Sequence, residues 1–310
     1  MSLVLCLGEA VVDFVAEPRG AGLTGAHGFV ASFGGSQANV AVGAARLGAA
    51  AALAGCAGTD PWGAWLRERL AAEGVDVSLY ALRGDVATTV AFVALDEAGE
   101  PEFSIWGGPS DGMLTGVEDR LVELVERERP GVIAFGSDTL IAPRDRETIA
   151  ALKQTGLERG WRVLYDPNLR QGRWPDRGVM VGVASDALAG VSVVKANRDE
   201  AALLTGAPEP ATAAAALVSR GARQAVVTLA AEGALLSDGG SPEHFPAEDV
   251  EVVDATGAGD AVAAVIAAKL ATAPAVNGDA IRLAMQVAGA VVGSRGAMTG
   301  FPASARAGSR

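Results

Sequence analysis

The sequence predicts an α/β protein. A central, mostly parallel sheet is covered by helices on both faces, giving three layers, α/β/α, with a small β-sheet lid set against them. Three observations carry this reading. Short apolar runs that read as buried strands alternate with helical segments through most of the chain. The alternation is interrupted over about 11–33 and 86–106, where extended segments follow one another without a packed helix between them. No long linker and no internal repeat divides the 310 residues, so 1–310 is read as one domain.

Taken in order, residues 3–7 form an apolar strand ending at Gly8, and 11–15 continue as a second strand carrying Asp13. The Gly-rich stretch 20–28 is a loop, and 29–33 another extended piece. Gly34-Gly35-Ser36-Gln37-Ala38-Asn39 then turns into a helix over 40–47, whose Ala and Gly content suits close packing. Residues 51–57 read as a buried strand, and Asp60-Pro61 starts a helix to about residue 73, with Pro at the first helical position. Strands over 88–95 and 102–106 flank Asp96-Glu97-Ala98-Gly99-Glu100, a hairpin turn.

Beyond residue 112 the alternation is regular. Helices are expected over 117–128, 143–159, 175–188, 198–205 and 211–220. Strands are expected over 131–135, 163–165, 191–194, 225–229 and 234–237, with more strand at 244–245. Glu251-Val252-Val253 reads as an extended run into Asp254, and small-residue helices over 259–271 and 278–292 close the chain. Ligands of such a sheet lie beyond the carboxyl ends of its strands. Asn168 with Arg170, Asn197 with Glu200, Thr228, and the stretch 254–260 are all expected at that edge.

Composition narrows the chemistry. A net charge of −12 argues against a nucleic-acid partner, because phosphate backbones need clustered Lys and Arg. Cys6 and Cys56 sit in apolar runs without metal-ligand or redox spacing, which points to a reducing, cytoplasmic setting. With only His27 and His244, neither a His-based zinc site nor a Ser-His-Asp triad is expected. The apolar start lacks a basic flank and runs into Glu9 and Asp13, so no signal peptide is expected; nor is a membrane span.

The stretch Asp254-Ala255-Thr256-Gly257-Ala258-Gly259-Asp260 bears the most chemistry. Gly257, Ala258 and Gly259 let the backbone turn tightly and present N–H groups at a helix start, where the dipole favours an anion such as phosphate. Asp260 follows in the first turn. An anion cradle beside a fixed base is what phosphoryl transfer to a hydroxyl needs. Alone, the stretch also fits a Gly-rich turn whose two Asp residues cap a helix. Asn197 and Glu200 likewise fit a capping box, and Arg170 a surface salt bridge.

Two motifs resolve the choice. Phe33-Gly34-Gly35-Ser36-Gln37-Ala38-Asn39-Val40-Ala41-Val42, with Ala45-Arg46-Leu47-Gly48, precedes the stretch 254–260 at long separation. Asp166-Pro167-Asn168-Leu169-Arg170, Asn197 with Glu200, and Val227-Thr228-Leu229 before Gly233 lie between. In this order they make the chain resemble the ribokinase-like (PfkB) family of carbohydrate kinases over nearly its full length. Gly8-Glu9 with Asp13-Phe14, Trp174, and Gly296-Ala297-Met298 are most similar to fructokinases, with 2-keto-3-deoxygluconate kinases the closest competitor.

The resemblance implies the ribokinase-like fold, ATP and Mg2+ as cofactors, possible use of K+, and a set of roles. Asp260 would be the base, and the Gly257, Ala258 and Gly259 N–H groups would hold the transferring phosphoryl. Asp13, Gly34, Gly35 and Asn39 would bind the sugar, with Arg170 near the substrate or the phosphate and Trp106 either over the sugar or buried in the lid core. Asn197 and Glu200 would organise Mg2+ and its waters around the ATP phosphates. Thr228, Leu229 and Gly233 would line the nucleotide site, and Asp254 and Thr256 would lie near a monovalent cation. Exposed lid edges would suit a homodimer.

The chain departs from the pattern at Ala255, where relatives have Thr, and at Ala230, where a Gly is usual. Phe103-Ser104-Ile105-Trp106 lacks the Arg that keto-deoxygluconate kinases place there, which favours a neutral sugar. Other sugar or nucleoside kinases and a catalytically silent sugar-binding regulator remain alternatives. A nicotinamide-linked oxidoreductase is disfavoured, because no Gly-x-Gly-x-x-Gly opens the first helix.

Overall fold

The apolar runs of the sequence become the strands of one large sheet. The structure is a computed structural model that describes residues 2–97 and 101–302. The first half contains β1 (Leu3–Leu7), β2 (Val11–Glu17), the one-turn α1 (Gly22–Gly25), β3 (Gly28–Gly34), α2 (Ser36–Arg46) and β4 (Ala50–Gly58). It continues through α3 (Pro61–Ala72), β5 (Tyr80–Arg83), β6 (Val90–Leu95), β7 (Pro101–Trp106), α4 (Glu118–Arg127) and β8 (Val132–Gly136). Next come α5 (Pro143–Glu158), β9 (Arg162–Asp166), α6 (Arg177–Asp186), β10 (Val193–Asn197), α7 (Arg198–Thr205) and α8 (Pro210–Ser219). The chain ends with β11 (Gln224–Thr228), β12 (Ala234–Ser237), β13 (Glu243–Phe245), α9 (Ala258–Leu270) and α10 (Gly278–Val292).

The large sheet has the order β13-β12-β11-β10-β9-β8-β1-β4-β5. Its pairs are parallel from β11 through to β5, and β12 and β13 add an antiparallel edge. Central strands are buried on both faces, which is why they read as continuous apolar runs. Along β1, Val4 and Cys6 face the layer of α2, α9 and α10, while Leu5 and Leu7 face that of α4 to α8. On the first face α2 packs on α9 so closely that a Cβ placed on Gly43 would lie 2.6 Å from the Ala264 Cβ. Fully buried Leu66 and Leu70 fix α3 on the same face, each contributing ~2 kcal/mol by burial.

Strand β1 pairs with β4 on one side and β8 on the other, so the chain order reverses there. Such a switch point opens a crevice at the carboxyl ends of the strands. From that end the chain passes into β2, the start of a second, four-stranded sheet of order β3-β2-β6-β7. Only β2–β6 is parallel within it. Phe14 stacks on Phe92 at 5.5 Å between centroids and meets Trp62 of α3 edge-on at 5.2 Å, which ties this sheet to the large one.

Five expectations need revision; two are local, since the stretch 20–28 holds the one-turn α1 and α2 starts at Ser36, four residues before the expected helix. The run 251–253 is irregular chain rather than a strand, because Val253 N and Asp254 N both donate to Val292 O at the end of α10 instead of to a ladder. Strand β5 was not anticipated; its four residues are too few to show a period beside Asp76 and Ser78. Lys195 falls inside β10, where the expected strand stopped at residue 194. Ala98, Gly99 and Glu100 of the expected hairpin turn lie outside the described residues. No helix of the described residues is long and apolar enough to cross a membrane.

Candidate active site

Asp260 is the third residue of α9, and the turn before it is shaped by its neighbours. Gly257 caps the helix with φ 83°, a left-handed conformation that disfavours a side chain, and a Cβ there would lie 2.7 Å from the Ala297 Cβ. Asp254 fixes the turn from below. Its two oxygens accept from Thr256 N and Gly296 N, each at 2.9 Å, and it is buried. The Ala258 N–H points back to Ala255 O at 3.3 Å.

The start of α2 meets Asp260 across the α2–α9 seam. Ser36 Oγ donates to Asp260 Oδ1 at 2.8 Å and Asn39 Nδ2 to Oδ2 at 2.7 Å. Asn168 Nδ2 reaches Oδ1 at 3.5 Å from the loop after β9, with Asn168 at φ 43°. Asn39 Oδ1 and Gln37 Oε1 are buried acceptors with no hydrogen-bond partner among the described residues. Gly34 makes room for Asp13, because a Cβ on it would fall on the Asp13 carboxyl. The Glu9 carboxyl accepts from Ser36 N at 2.8 Å, just ahead of the α2 start.

Acids crowd this pocket, and burial raises Asp13, Glu9 and Asp260. Burial pushes Asp13 up to about 7, helped by the charges of Asp260 and Asp254. Burial and then Asp138 push Glu9 up to about 8. Asp260 is also raised by burial, but Asn39, Lys195, Ser36 and Arg170 oppose the rise. Beneath α9, Lys195 Nζ binds both Asp166 oxygens at 3.2 and 3.0 Å.

The second group of candidates sits further along the same edge. Asn197 and Glu200 form a full capping box: Asn197 Oδ1 accepts from Glu200 N, and Glu200 Oε2 from Asn197 N, both at 2.9 Å. Glu200 Oε1 also accepts from Leu169 N at 2.8 Å, so it clamps the loop after β9 to α7. Thr228 lies beside Asn197 in the β10–β11 register, its Oγ1 3.5 Å from Ala196 O. Leu229 N donates to Gly233 O at 2.7 Å, and Gly233 has φ 100°. Ala230, between them, has φ 53°, a left-handed angle that explains why glycine is usual there.

Two candidates are exposed to solvent. Trp106 is 63% exposed on edge strand β7, with Nε1 on Ser104 Oγ at 3.0 Å, so it is not a buried lid-core residue. Arg170 is exposed; it bonds Leu169 O at 3.2 Å and lies 5.7 Å from the centroid of the Phe103 ring on β7. Ser36 and Lys195 were missed as site residues. Ser36 was hidden inside a quoted motif, whereas a lone Lys in an apolar strand was a legible sign of a buried charge with a partner.

A nine-stranded, mostly parallel sheet with a helix-start turn and buried acids at its switch point defines a ribokinase-like α/β protein. The chain belongs to the pfkB family of carbohydrate kinases, whose description matches residues 1–304. It is therefore a sugar kinase, an enzyme class that moves a phosphoryl group from ATP to a sugar hydroxyl. It is 32% identical over 305 residues to the fructokinase of Salmonella typhimurium, covering 96% of both chains. It is also 32% identical over 306 residues to an aminoimidazole riboside kinase of Salmonella typhimurium, covering 97% of this chain and 92% of that one. A fructokinase double mutant from Vibrio cholerae, in its fructose, ADP and potassium ion bound form, superposes with a TM-score of 0.85 at 29% identity, covering 97% and 96%.

Proposed function

We propose that this chain is a single-domain fructokinase-like enzyme that phosphorylates a neutral sugar, with Asp260 as the base. The observation carrying the reading is Asp260 itself. Its carboxylate is held by Ser36 and Asn39 at the start of α9, next to the Gly257–Gly259 turn. An alkoxide is too basic to be formed in advance, so Asp260 first orients the hydroxyl in line with the γ-phosphate and takes its proton late. The N–H groups of Gly257 and Gly259 meet the phosphoryl oxygens at the positive end of the α9 dipole, and the Ala258 N–H joins them only by leaving Ala255 O.

The unpartnered acceptors Asn39 Oδ1 and Gln37 Oε1, with Asp13 beside Gly34 and Gly35, suit the hydroxyl donors of a sugar. Asp13 and Glu9, which burial keeps largely protonated near neutral pH, offer hydrogen bonds but no cation to a carboxylate, which disfavours 2-keto-3-deoxygluconate. Asn197, Thr228, Leu229 and Gly233 line the ATP side of the edge. Glu200 spends both oxygens on backbone N–H groups, so any part in holding Mg2+ runs through water and the ATP phosphates.

Asp254 and Thr256 bound the place for K+, a reading supported by the potassium-bound Vibrio cholerae relative. The four-stranded sheet acts as the lid, excluding water on closure, with Trp106 and Arg170 at its rim. Its exposed Phe29 and Val30, with Trp62 of α3, suit pairing with a second copy. Buried, unpaired Cys6 and Cys56 fit a cytoplasmic setting.

A nucleoside acceptor is the second reading, favoured by the riboside kinase relative at equal identity. A coupled ADP-release assay across fructose, tagatose, ribose, 2-keto-3-deoxygluconate and nucleosides tests both. Fructose is expected to give the highest kcat/KM. A nucleoside preference supports the second reading, and no stimulation by any acceptor overturns the kinase assignment of this site.

A further inference from the structure

Lys195 is a charge in the wrong place for stability. It lies in β10 among Val193, Val194 and Ala196, is only 5% exposed, and pairs with an equally buried Asp166. Buried ion pairs are weak net stabilisers, and apolar replacements of similar volume are often neutral or better. Val194 and Ala196 point to the α4–α8 face, whereas Val193 and Lys195 share the face on which α9 lies.

The ammonium reaches the underside of the α9 start. A Cβ built on Gly259 would lie 2.8 Å from Lys195 Nζ and meet no other residue closely. A glycine at that position therefore leaves the space that the ammonium uses. From the elements packed around Asp260 and Lys195, the charged groups are Glu9, Asp13, Asp166, Glu200, Asp254, Arg170 and Lys195. All but Arg170 and Lys195 are acids, and Arg170 is exposed, so Lys195 is the buried cation of the set. Its charge opposes the rise that burial imposes on Asp260.

We propose that Lys195 is a positioning residue of the phosphoryl-transfer site. Pinned by Asp166 beneath the first turn of α9, its ammonium keeps the Asp260 carboxylate charged and adds fixed positive charge behind the N–H groups that meet the phosphoryl. It touches neither substrate; it acts through the turn and through Asp260. The inference rests on the reading of Asp260 as base.

The test measures kcat and KM for fructose and ATP between pH 5.5 and 9, with thermal melting, for Lys195→Met, Lys195→Arg, Gly259→Ala and Asp260→Asn. In Lys195→Met the acid limb of kcat should move up by about one pH unit, as expected for removal of one close opposite charge. Turnover at pH 7 should fall by about tenfold while KM for fructose stays within about threefold. Lys195→Arg should restore most of the limb.

Gly259→Ala keeps the charge and favours the helix, but displaces the ammonium. It should fold with a somewhat lower melting temperature, since the buried Lys195–Asp166 pair is disturbed, and move the limb in the same direction. If Lys195→Met folds with the wild-type limb and turnover, the proposal is wrong. If that variant does not fold, an unchanged limb and kcat in Gly259→Ala overturn it equally. Near-normal turnover in Asp260→Asn would instead remove the base reading, a separate and visible outcome.

Discussion

Asp13→Asn should make the protein more stable and a worse enzyme, and the stability gain should grow with pH. Asp13 is 9% exposed and its carboxyl sits at about 7 instead of the ordinary 3.8. The folded state thus holds this proton more tightly than the unfolded chain does. Wild-type stability is lost as pH rises from the ordinary carboxyl range through about 7. Taken at face value, that displacement is worth roughly 4 kcal/mol at pH 8 and less than about 2 kcal/mol at pH 5. It is a ceiling, because relief at Asp13 also relieves Asp260, whose charge contributes to it.

Asparagine has the same shape, fits the space left by Gly34, and never ionises. Urea unfolding of both proteins at pH 5 and pH 8 measures the effect. The expected gain is between about 1 and 4 kcal/mol at pH 8 and smaller at pH 5. The same variant should lose fructose affinity, since an amide replaces a two-oxygen acceptor. A variant less stable than the wild type at pH 8, or a gain independent of pH, would refute the account of a buried, raised carboxyl.

Other outcomes follow from single contacts. Asp260→Asn should lower kcat by about 10²-fold or more while nucleotide and sugar binding are kept, read by ADP release and titration calorimetry. Gly34→Ala drives a Cβ into the Asp13 carboxyl and should raise KM for the sugar by at least about tenfold, leaving KM for ATP within about twofold. Glu200→Ala frees Asn197 N and Leu169 N together and should destabilise by about 2 kcal/mol in denaturant melts. Ala230→Gly relieves a left-handed alanine and should stabilise by up to about 1 kcal/mol.

The large sheet was legible because its strands are buried on both faces and interrupted by helices with plain caps, such as Asp60 before Pro61. Asp60 does accept from Trp62 N and Gly63 N. What failed was local: β5 is too short to show a period, and 251–253 reads as extended chain, but Val253 N and Asp254 N donate to the end of α10. Within the site, the pairing of Asp260 with Asn39 follows from motifs that lie 221 positions apart, which no window along the chain could connect.

The sequence fits Glu200 to a capping box as well as to a magnesium role, and the box forms, yet its second oxygen reaches Leu169, a tertiary contact without a local signature. The sequence fits Trp106 equally to the sugar and to the lid core, and edge strand β7 leaves it largely in solvent. The acid-rich pocket was also beyond reach, since the raised carboxyls of Glu9 and Asp13 come from burial that only the fold supplies.

The close α2–α9 seam at Gly43 and Ala264 has a consequence for how this enzyme could be redesigned. Ser36 and Asn39 ride on one of these helices and Asp260 on the other, so the seam works like the pivot of a pair of callipers. A methyl group added at Gly43 would widen the jaws without touching any ligand. On the function proposed above, Asp13 on β2, Trp106 on β7 and Arg170 in the loop after β9 would meet the sugar from outside the pair, beside Asn39 and Gln37 on α2. Changing the acceptor should therefore be a matter of editing those loops and strands, while the pivot is left as it stands.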